Sequence, residues 1–271
     1  RGNPGPSAFG GRVEGALPLA PAGLTPGYFG KRETRKAGLA RGRRRCDIGA
    51  MSEHDKIALV TGASRGLGAA LAEALAGRGW HILAVARTSG ALEELDDRIR
   101  KAGGSATLAP MDVGQPEAMV QLAQAVAGRL GGLDLWAHCA IHAAPLSPAG
   151  HVDAKDFQKS VDLNLVTTRG LIQLIEPLLR ARKGTALFLD DRRAGQKFFG
   201  SYGATKAGQI ALARSWQAEN ETLGPRVVIA EPAPMPTALR ARFFPGEDRA
   251  RLTPCKAEAD RILASALTGQ P

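Results

Sequence analysis

From residue 56 onward, short apolar runs alternate with stretches in which apolar residues return every three or four positions. Residues 56–60, 81–86, 106–111, 133–138, 185–189 and 226–230 read as strands. Helical patterns fill the spaces between them: one through Leu67, Leu71 and Leu75, then residues 92–101, 117–130, 153–179 and 202–221, with a last one over 257–267. Gly103-Gly104 stops the second helix, and Pro116 sits at the first turn of the third. Strands alternating with helices predict an α/β fold, a parallel sheet doubly wound by right-handed crossovers. No linker or short repeat divides residues 51–271, so they read as one domain.

Residues 1–50 break this pattern. They are rich in Gly, Pro and Arg without a sustained period, and read as a disordered basic leader. Ten Lys and Arg against three acids fall there, so the leader holds seven of the chain's ten net positive charges. The body is nearly balanced, which removes the main argument for a nucleic-acid partner. The chain opens on Arg1, and Met51 stands just before the first strand. Met51 therefore reads as the natural start and the leader as upstream sequence; an Arg-rich transit peptide is the alternative. Aromatics make up only 5% of the chain, so Ala, Leu, Val and Ile must build the core. Cys46, Cys139 and Cys255 form no C-x-x-C pair, and the histidines show no metal spacing, so neither a disulfide framework nor a metal site is expected. No apolar run has the length of a membrane span, and a cytoplasmic setting is the default.

The first strand leads into Thr61-Gly62-Ala63-Ser64-Arg65-Gly66-Leu67-Gly68 and then into a helix. Strand, glycine turn and helix form the geometry that holds a dinucleotide pyrophosphate. Gly62 permits a sharp turn, and Gly66 and Gly68 permit close approach to the helix start, whose N–H groups face the phosphates. Gly62, Ser64, Arg65, Gly66, Leu67 and Gly68 are thus candidates for cofactor binding. An NAD site would place an acid after the second strand, but this strand ends Val85-Ala86-Arg87-Thr88. Arg87 and Arg65 suit a 2′-phosphate through paired N–H donors, which favours NADP(H) over NAD(H). The plain alternative is that both arginines are solvated surface residues.

Tyr202-Gly203-Ala204-Thr205-Lys206 places a phenol and an amine one helical turn apart on one face. A phenol is a poor base at neutral pH, with an ordinary pKa of about 10. A neighbouring ammonium lowers that value, so the pair can act as general acid and base for a carbonyl/alcohol couple.

In order along the chain, the glycine turn, Asp112-Val113, Asn164, Tyr202 with Lys206, and Pro232 with Thr237 resemble the short-chain dehydrogenase/reductase family, of the bacterial type. The resemblance runs from about residue 56 to residue 237. It implies a Rossmann-type domain and hydride transfer between NADP(H) and a small-molecule carbonyl or alcohol. It implies that Tyr202 exchanges the proton, that Lys206 lowers the phenol pKa and holds the nicotinamide ribose, and that Asn164 holds a water in a proton relay. Asp112 and Val113 would contact adenine, Ala140 would be kept from the family's Asn-Asn-Ala-Gly, and Pro232 and Thr237 would meet the nicotinamide end.

Three departures accompany it. His138-Cys139-Ala140-Ile141 replaces Asn-Asn-Ala-Gly. No Ser or Thr lies in residues 188–197, where the family places a Ser that orients the substrate carbonyl; Leu189, Asp190 and Asp191 stand there instead. A carboxylate beside Tyr202 opposes the lysine and raises the phenol pKa. The family also ends on a further strand whose edge often supports oligomers. Here only Thr268-Gly269-Gln270-Pro271 follow the last helix, so that strand reads as missing or the chain as cut short, and a homo-oligomer stays open.

Residues 232–254 carry Met235, Leu239, Phe243 and Phe244 beside Arg240, Arg242 and Arg249. They read either as a pocket lining with anion-binding arginines or as a helix packing its aromatics on the body. His138 and Cys139, adjacent on a strand, face opposite sides and do not make a nucleophile pair. A non-catalytic nucleotide-binding sensor or scaffold of the same fold is the rival to an enzyme. The altered segments motivate that rival, and the retained Tyr202 and Lys206 argue against it.

Overall fold

The structure, a computed structural model, describes residues 56–268. The basic leader and Met51 lie outside the described residues.

Six strands form one parallel sheet: β1 Ile57–Thr61, β2 His81–Ala86, β3 Ser105–Pro110, β4 Leu135–His138, β5 Thr185–Leu189 and β6 Arg226–Ala230. Their spatial order is β3-β2-β1-β4-β5-β6. The order reverses between β1 and β4, so a crevice opens at the carboxyl ends of those two strands. The register sets Thr61 opposite His138, so the glycine turn and the residues after β4 meet there.

Side chains alternate across the strands. Ala58, Val60, Ala84 and Ala137 face one layer, built by α1 (Gly66–Ala76), α2 (Ser89–Lys101) and α8 (Cys255–Ala266). Ile57, Leu59, Trp136 and Phe188 face the other layer, built by α3 (Pro116–Leu130), α5 (Thr168–Ala181) and α6 (Gly200–Glu219). Small residues on the first face let α1 lie close to β1 and bring its N-terminus to the crevice. On the second face, Trp136 packs against Phe188 at 5.3 Å and Trp216 at 6.4 Å. Trp136 and Trp216 are distant in sequence, yet they join the sheet to α6.

The single helix expected over 153–179 is interrupted. α4 (Ala154–Val161) passes through a π-helical turn, Asp162–Thr167, into α5. The wider turn re-aims the chain so that Ser160, Asn164 and Thr168 are all fully buried. Among the described residues no strand follows β6. The chain continues through a short helix α7 (Ala238–Phe243) to α8.

Trp136 is fully buried between β4 and α6. Trp136→Ala is expected to lower the unfolding free energy by about 4 kcal/mol, read from the urea midpoint at unchanged m-value.

Candidate functional site

The glycine turn is tight because backbone meets backbone there. Gly62 has φ +79°, and a Cβ on it would lie 2.7 Å from the Ala140 nitrogen. A Cβ on Gly68 would lie 2.3 Å from the Gly62 carbonyl oxygen. Gly66 has φ +59° and is only partly covered. The first turn of α1 has no side-chain cap, and its N–H groups have no acceptor within the helix. An uncapped helix start behind an open glycine cradle fits a dinucleotide pyrophosphate. Leu67 is buried in the core, whereas Ser64 and Arg65 reach the surface.

The expected pair, Tyr202 and Lys206, lies beside this turn. Lys206 is buried and interacts electrostatically with Cys139, whose backbone walls Gly62. Burial pushes the ammonium down to about 8, against an opposing pull from Asp190 and Asp191. Tyr202 is also buried, and its hydroxyl donates to Asp191 Oδ2 at 3.0 Å. Burial, then the Asp191 charge and hydrogen bond, holds the phenol well above its ordinary value. The carboxylate that faces the phenol is therefore Asp191, and Arg193 neutralises it across an ion pair of 2.9 Å. Asp190 lies farther along and pairs with Arg214 at 3.8 Å. At neutral pH the site holds a protonated phenol and a charged lysine.

Asn164 is engaged by its surroundings. Its Nδ2 donates to the His142 carbonyl and to Thr205 Oγ1, each at 2.9 Å, and its Oδ1 accepts from the His142 nitrogen at 2.8 Å. With both donors engaged, the amide clamps the loop after β4. The relay role expected for it cannot use those N–H groups.

Other expected residues fall into separate tasks. Thr237 caps α7 by accepting from the Arg240 nitrogen, and its methyl lies against Gly66. Pro232 is partly buried just after β6. Asp112 accepts from the Gly114 nitrogen, Val113 is buried in the core, and Arg87 reaches Asp112 only at 4.0 Å with its side chain 74% exposed. His138 and Cys139 do diverge: His138 packs on Trp136 and Phe188, while Cys139 joins the opposite layer. Burial raises the Cys139 thiol to about 12, so it is not a thiolate at neutral pH.

The segment after β6 settles between its two readings. α7 packs its aromatics on the body, and it packs them over Tyr202. Phe243 lies 5.0 Å from the tyrosine ring and 4.9 Å from Phe199. The arginines are engaged nearby: Arg240 forks onto Glu247, Arg242 donates to the Ala143 carbonyl, and Arg249 donates to the Pro236 carbonyl.

Two polar stripes went unremarked in the sequence. Ser160, Asn164 and Thr168 recur every four residues, as do Ser201, Thr205 and Gln209, and all six are buried. Thr205 and Gln209 meet Asn164 and Thr168 across the helix interface. Polar residues at strict helical spacing on otherwise apolar faces were the signal available.

Residues 56–248 match the family model described as short chain dehydrogenase. The chain belongs to the short-chain dehydrogenase/reductase family. Among relatives, 3beta-hydroxysteroid dehydrogenase 1 of Eggerthella lenta is 30% identical, over 80% of this chain and 82% of its own length. A fatty acyl-CoA reductase of Acinetobacter baylyi is 30% identical, over 60% of this chain and 57% of its own length. Among solved structures, a short chain dehydrogenase from Salmonella enterica serovar Typhi superposes with TM-score 0.73 at 25% identity, covering 79% of this chain and 89% of that one. A Shigella flexneri structure complexed with NADP gives TM-score 0.72 at 26% identity, covering 77% and 90%. This short-chain dehydrogenase/reductase has no helix, among the described residues, long and apolar enough to cross a membrane. No group of His, Cys, Asp or Glu among them could hold a metal.

Burying the Lys206 ammonium costs stability. Its folded pKa lies below the ordinary 10.5, so the unfolded chain binds more protons between about 8 and 10.5. Stability therefore rises with pH across that window, and below it the penalty is constant, on the order of 3 kcal/mol. Lys206→Met removes the penalty but leaves the Gln209 carbonyl unpaired, which returns about 1–2 kcal/mol. The variant is expected to melt about 3–6 °C higher at neutral pH, and the gain should fade as the pH passes 8 toward 10.5, as calorimetry can read.

Proposed function

We propose that this chain is an NADP(H)-dependent oxidoreductase that interconverts a carbonyl and an alcohol on an apolar small molecule, with residues 51–271 as the working domain. The observation that carries the reading is the buried Tyr202 and Lys206 lying beside the glycine turn at the switch point of the sheet. A bound dinucleotide supplies the hydride. The turn from Gly62 to Gly68 holds the pyrophosphate on the start of α1, with Ser64, Arg65 and Leu67 shaping it. Asp112 and Val113 border the adenine side, and Ala140, Pro232 and Thr237 the nicotinamide end. Lys206 holds the ribose; contrary to the expectation that it lowers the phenol pKa, the cation that pulls on the Tyr202 phenol is Arg193, and burial with Asp191 outweighs it. Tyr202, held protonated by burial and Asp191, is poised to give its proton to a carbonyl oxygen, which favours reduction. Asn164 keeps the His142 loop in place beside them.

The aromatic wall of Phe199, Phe243 and Phe244, with Leu146 and Leu239, supports an apolar substrate. Phe199 also borders a neighbouring cavity of about 590 Å³ with Pro148, Ala149 and Phe198. The steroid and fatty acyl activities in the relatives' names agree with that wall. The absence of an acid after β2, with Arg87 and Arg65 exposed there, supports NADP(H) over NAD(H). A cytoplasmic enzyme is the form proposed.

The rival is a sensor that binds the nucleotide without turnover; the Tyr202–Asp191 hydrogen bond favours it, since it diverts the phenol proton from substrate. Screening NADPH consumption against apolar ketones, aldehydes and quinones separates the two. Turnover that falls by about 10²–10⁴-fold in Tyr202→Phe supports the enzyme; tight NADPH binding with no turnover across the panel supports the sensor. Arg87→Asp should weaken NADPH binding by roughly ten- to a hundredfold and leave NADH binding nearly unchanged, as titration calorimetry would read. An unchanged preference would overturn the cofactor assignment.

A further inference from the structure

From Lys206 a line of hydrogen bonds runs away from the phenol, through the core, to the last residue of β1. Lys206 Nζ donates to Gln209 Oε1 at 2.7 Å. Gln209 Nε2 donates to Thr168 Oγ1 at 2.9 Å. Thr168 Oγ1 lies 3.1 Å from His138 Nε2, and His138 Nδ1 lies 2.8 Å from Thr61 Oγ1. Thr61 Oγ1 in turn reaches the Ala137 carbonyl at 3.4 Å. All five side chains are buried.

The ammonium fixes the first two directions, and the Thr61 hydroxyl's bond to the Ala137 carbonyl orders the rest. An ammonium only donates, so Gln209 must present its carbonyl to Lys206 and its N–H₂ to Thr168. Thr168 accepts that bond. At the other end Thr61 gives its one O–H to the Ala137 carbonyl, so it accepts from His138 Nδ1, and His138 Nε2 in turn accepts from the Thr168 O–H. The line ends on a backbone carbonyl, so it moves no proton onward; it orients. Gln209 cannot flip its amide, because a flip would aim N–H groups at the ammonium and leave Thr168 without its donor.

We propose that Gln209, Thr168 and His138 form a positioning chain that aims the Lys206 ammonium, with His138 locked as the neutral Nδ1–H tautomer. The proposal rests on the reading that Lys206 holds the ribose. In the related family an Asn stands where this chain has His138; here a flat ring spans the gap between Thr61 and Thr168. Burial, and then the Lys206 charge, push the imidazole down to about 3, consistent with a ring that never charges near neutrality. The titratable groups that face Lys206 are Asp190, Asp191, Cys139 and His138. None of them lies between Lys206 and Gln209 in the chain.

Two measurements on the full chain test this, and neither needs turnover. In the first, ¹⁵N and ¹³C NMR of the His138 ring should report the Nδ1–H tautomer, unchanged from about pH 5 to about pH 9. An Nε2–H tautomer, or a ring that titrates near its ordinary value, overturns the proposal. In the second, the Lys206 ¹³Cε resonance is followed against pH in Thr168→Val, which has the same shape without the hydroxyl, and in Thr168→Ser, which keeps it. Val should lower the lysine midpoint by about one pH unit, because Gln209 loses the acceptor that holds its carbonyl on the ammonium, while Ser should leave it in place. A wild-type midpoint in Thr168→Val overturns the chain. Should that variant fail to fold, the wild-type tautomer decides alone. If Tyr202→Phe kept full activity, the catalytic reading would fall while both NMR results stood.

Discussion

The constraint on which the rest depends is the contact between backbone and backbone where β1 and β4 end. Gly62 and the Cys139–Ala140 peptide approach so closely that no Cβ fits between them, and Gly68 presses equally on the Gly62 carbonyl. That contact fixes α1 against the sheet, opens the crevice at the switch point and brings the residues after β4 under the glycine turn. It also explains the alanines at Ala58, Ala84 and Ala137 on the α1 face: a larger residue there would push the helix out and open the turn. On the other face Trp136, Phe188 and Trp216 pack edge to face.

At the crevice, burial and charge pull the Tyr202 phenol and the Lys206 ammonium in different directions. Desolvation alone would discharge the lysine and keep the phenol neutral. Asp190 and Asp191 partly restore the ammonium, and Asp191 tightens the phenol's hold on its proton. One carboxylate therefore acts on both partners, and Arg193 limits its reach. The outcome is an acid–cation pair rather than a base–cation pair at neutral pH. On the proposed function, such a pair suits protonation of an oxygen that gains negative charge more than removal of a proton from an alcohol.

The fold was legible because it is written locally. Strand runs, helical periods and glycine punctuation each lie within a few residues, and six strands and seven of the helices fall on or near the expected segments. The interruption at Asp162–Thr167 was hidden, since its residues keep an apolar period that a continuous helix would share. Tyr202 and Lys206 were legible as a phenol and an amine one turn apart on one helix, where both are buried. What stayed hidden depends on pairings between distant segments. Asp191 is eleven positions from Tyr202, with a loop between them, and only the folded loop decides that it rather than Asp190 meets the hydroxyl. Asn164 carries the same amide whether it holds a water or a loop, and its partners at His142 and Thr205 come from two other elements.

The matched polar stripes show how such distant pairings stay specific inside a core. A buried amide or hydroxyl without a partner costs several times what its hydrogen bond contributes. Asn164 and Thr168 can therefore meet Thr205 and Gln209 in only one register, because a slip along either helix would orphan several groups at once. Apolar ridges alone would tolerate such a slip far better. The register that satisfies Asn164 and Thr168 is also the one that sets Lys206 and Tyr202 on the crevice side of α6. The polar contacts between α6 and its neighbours thus decide where the chemistry sits, while the apolar contacts decide that the helices pack at all.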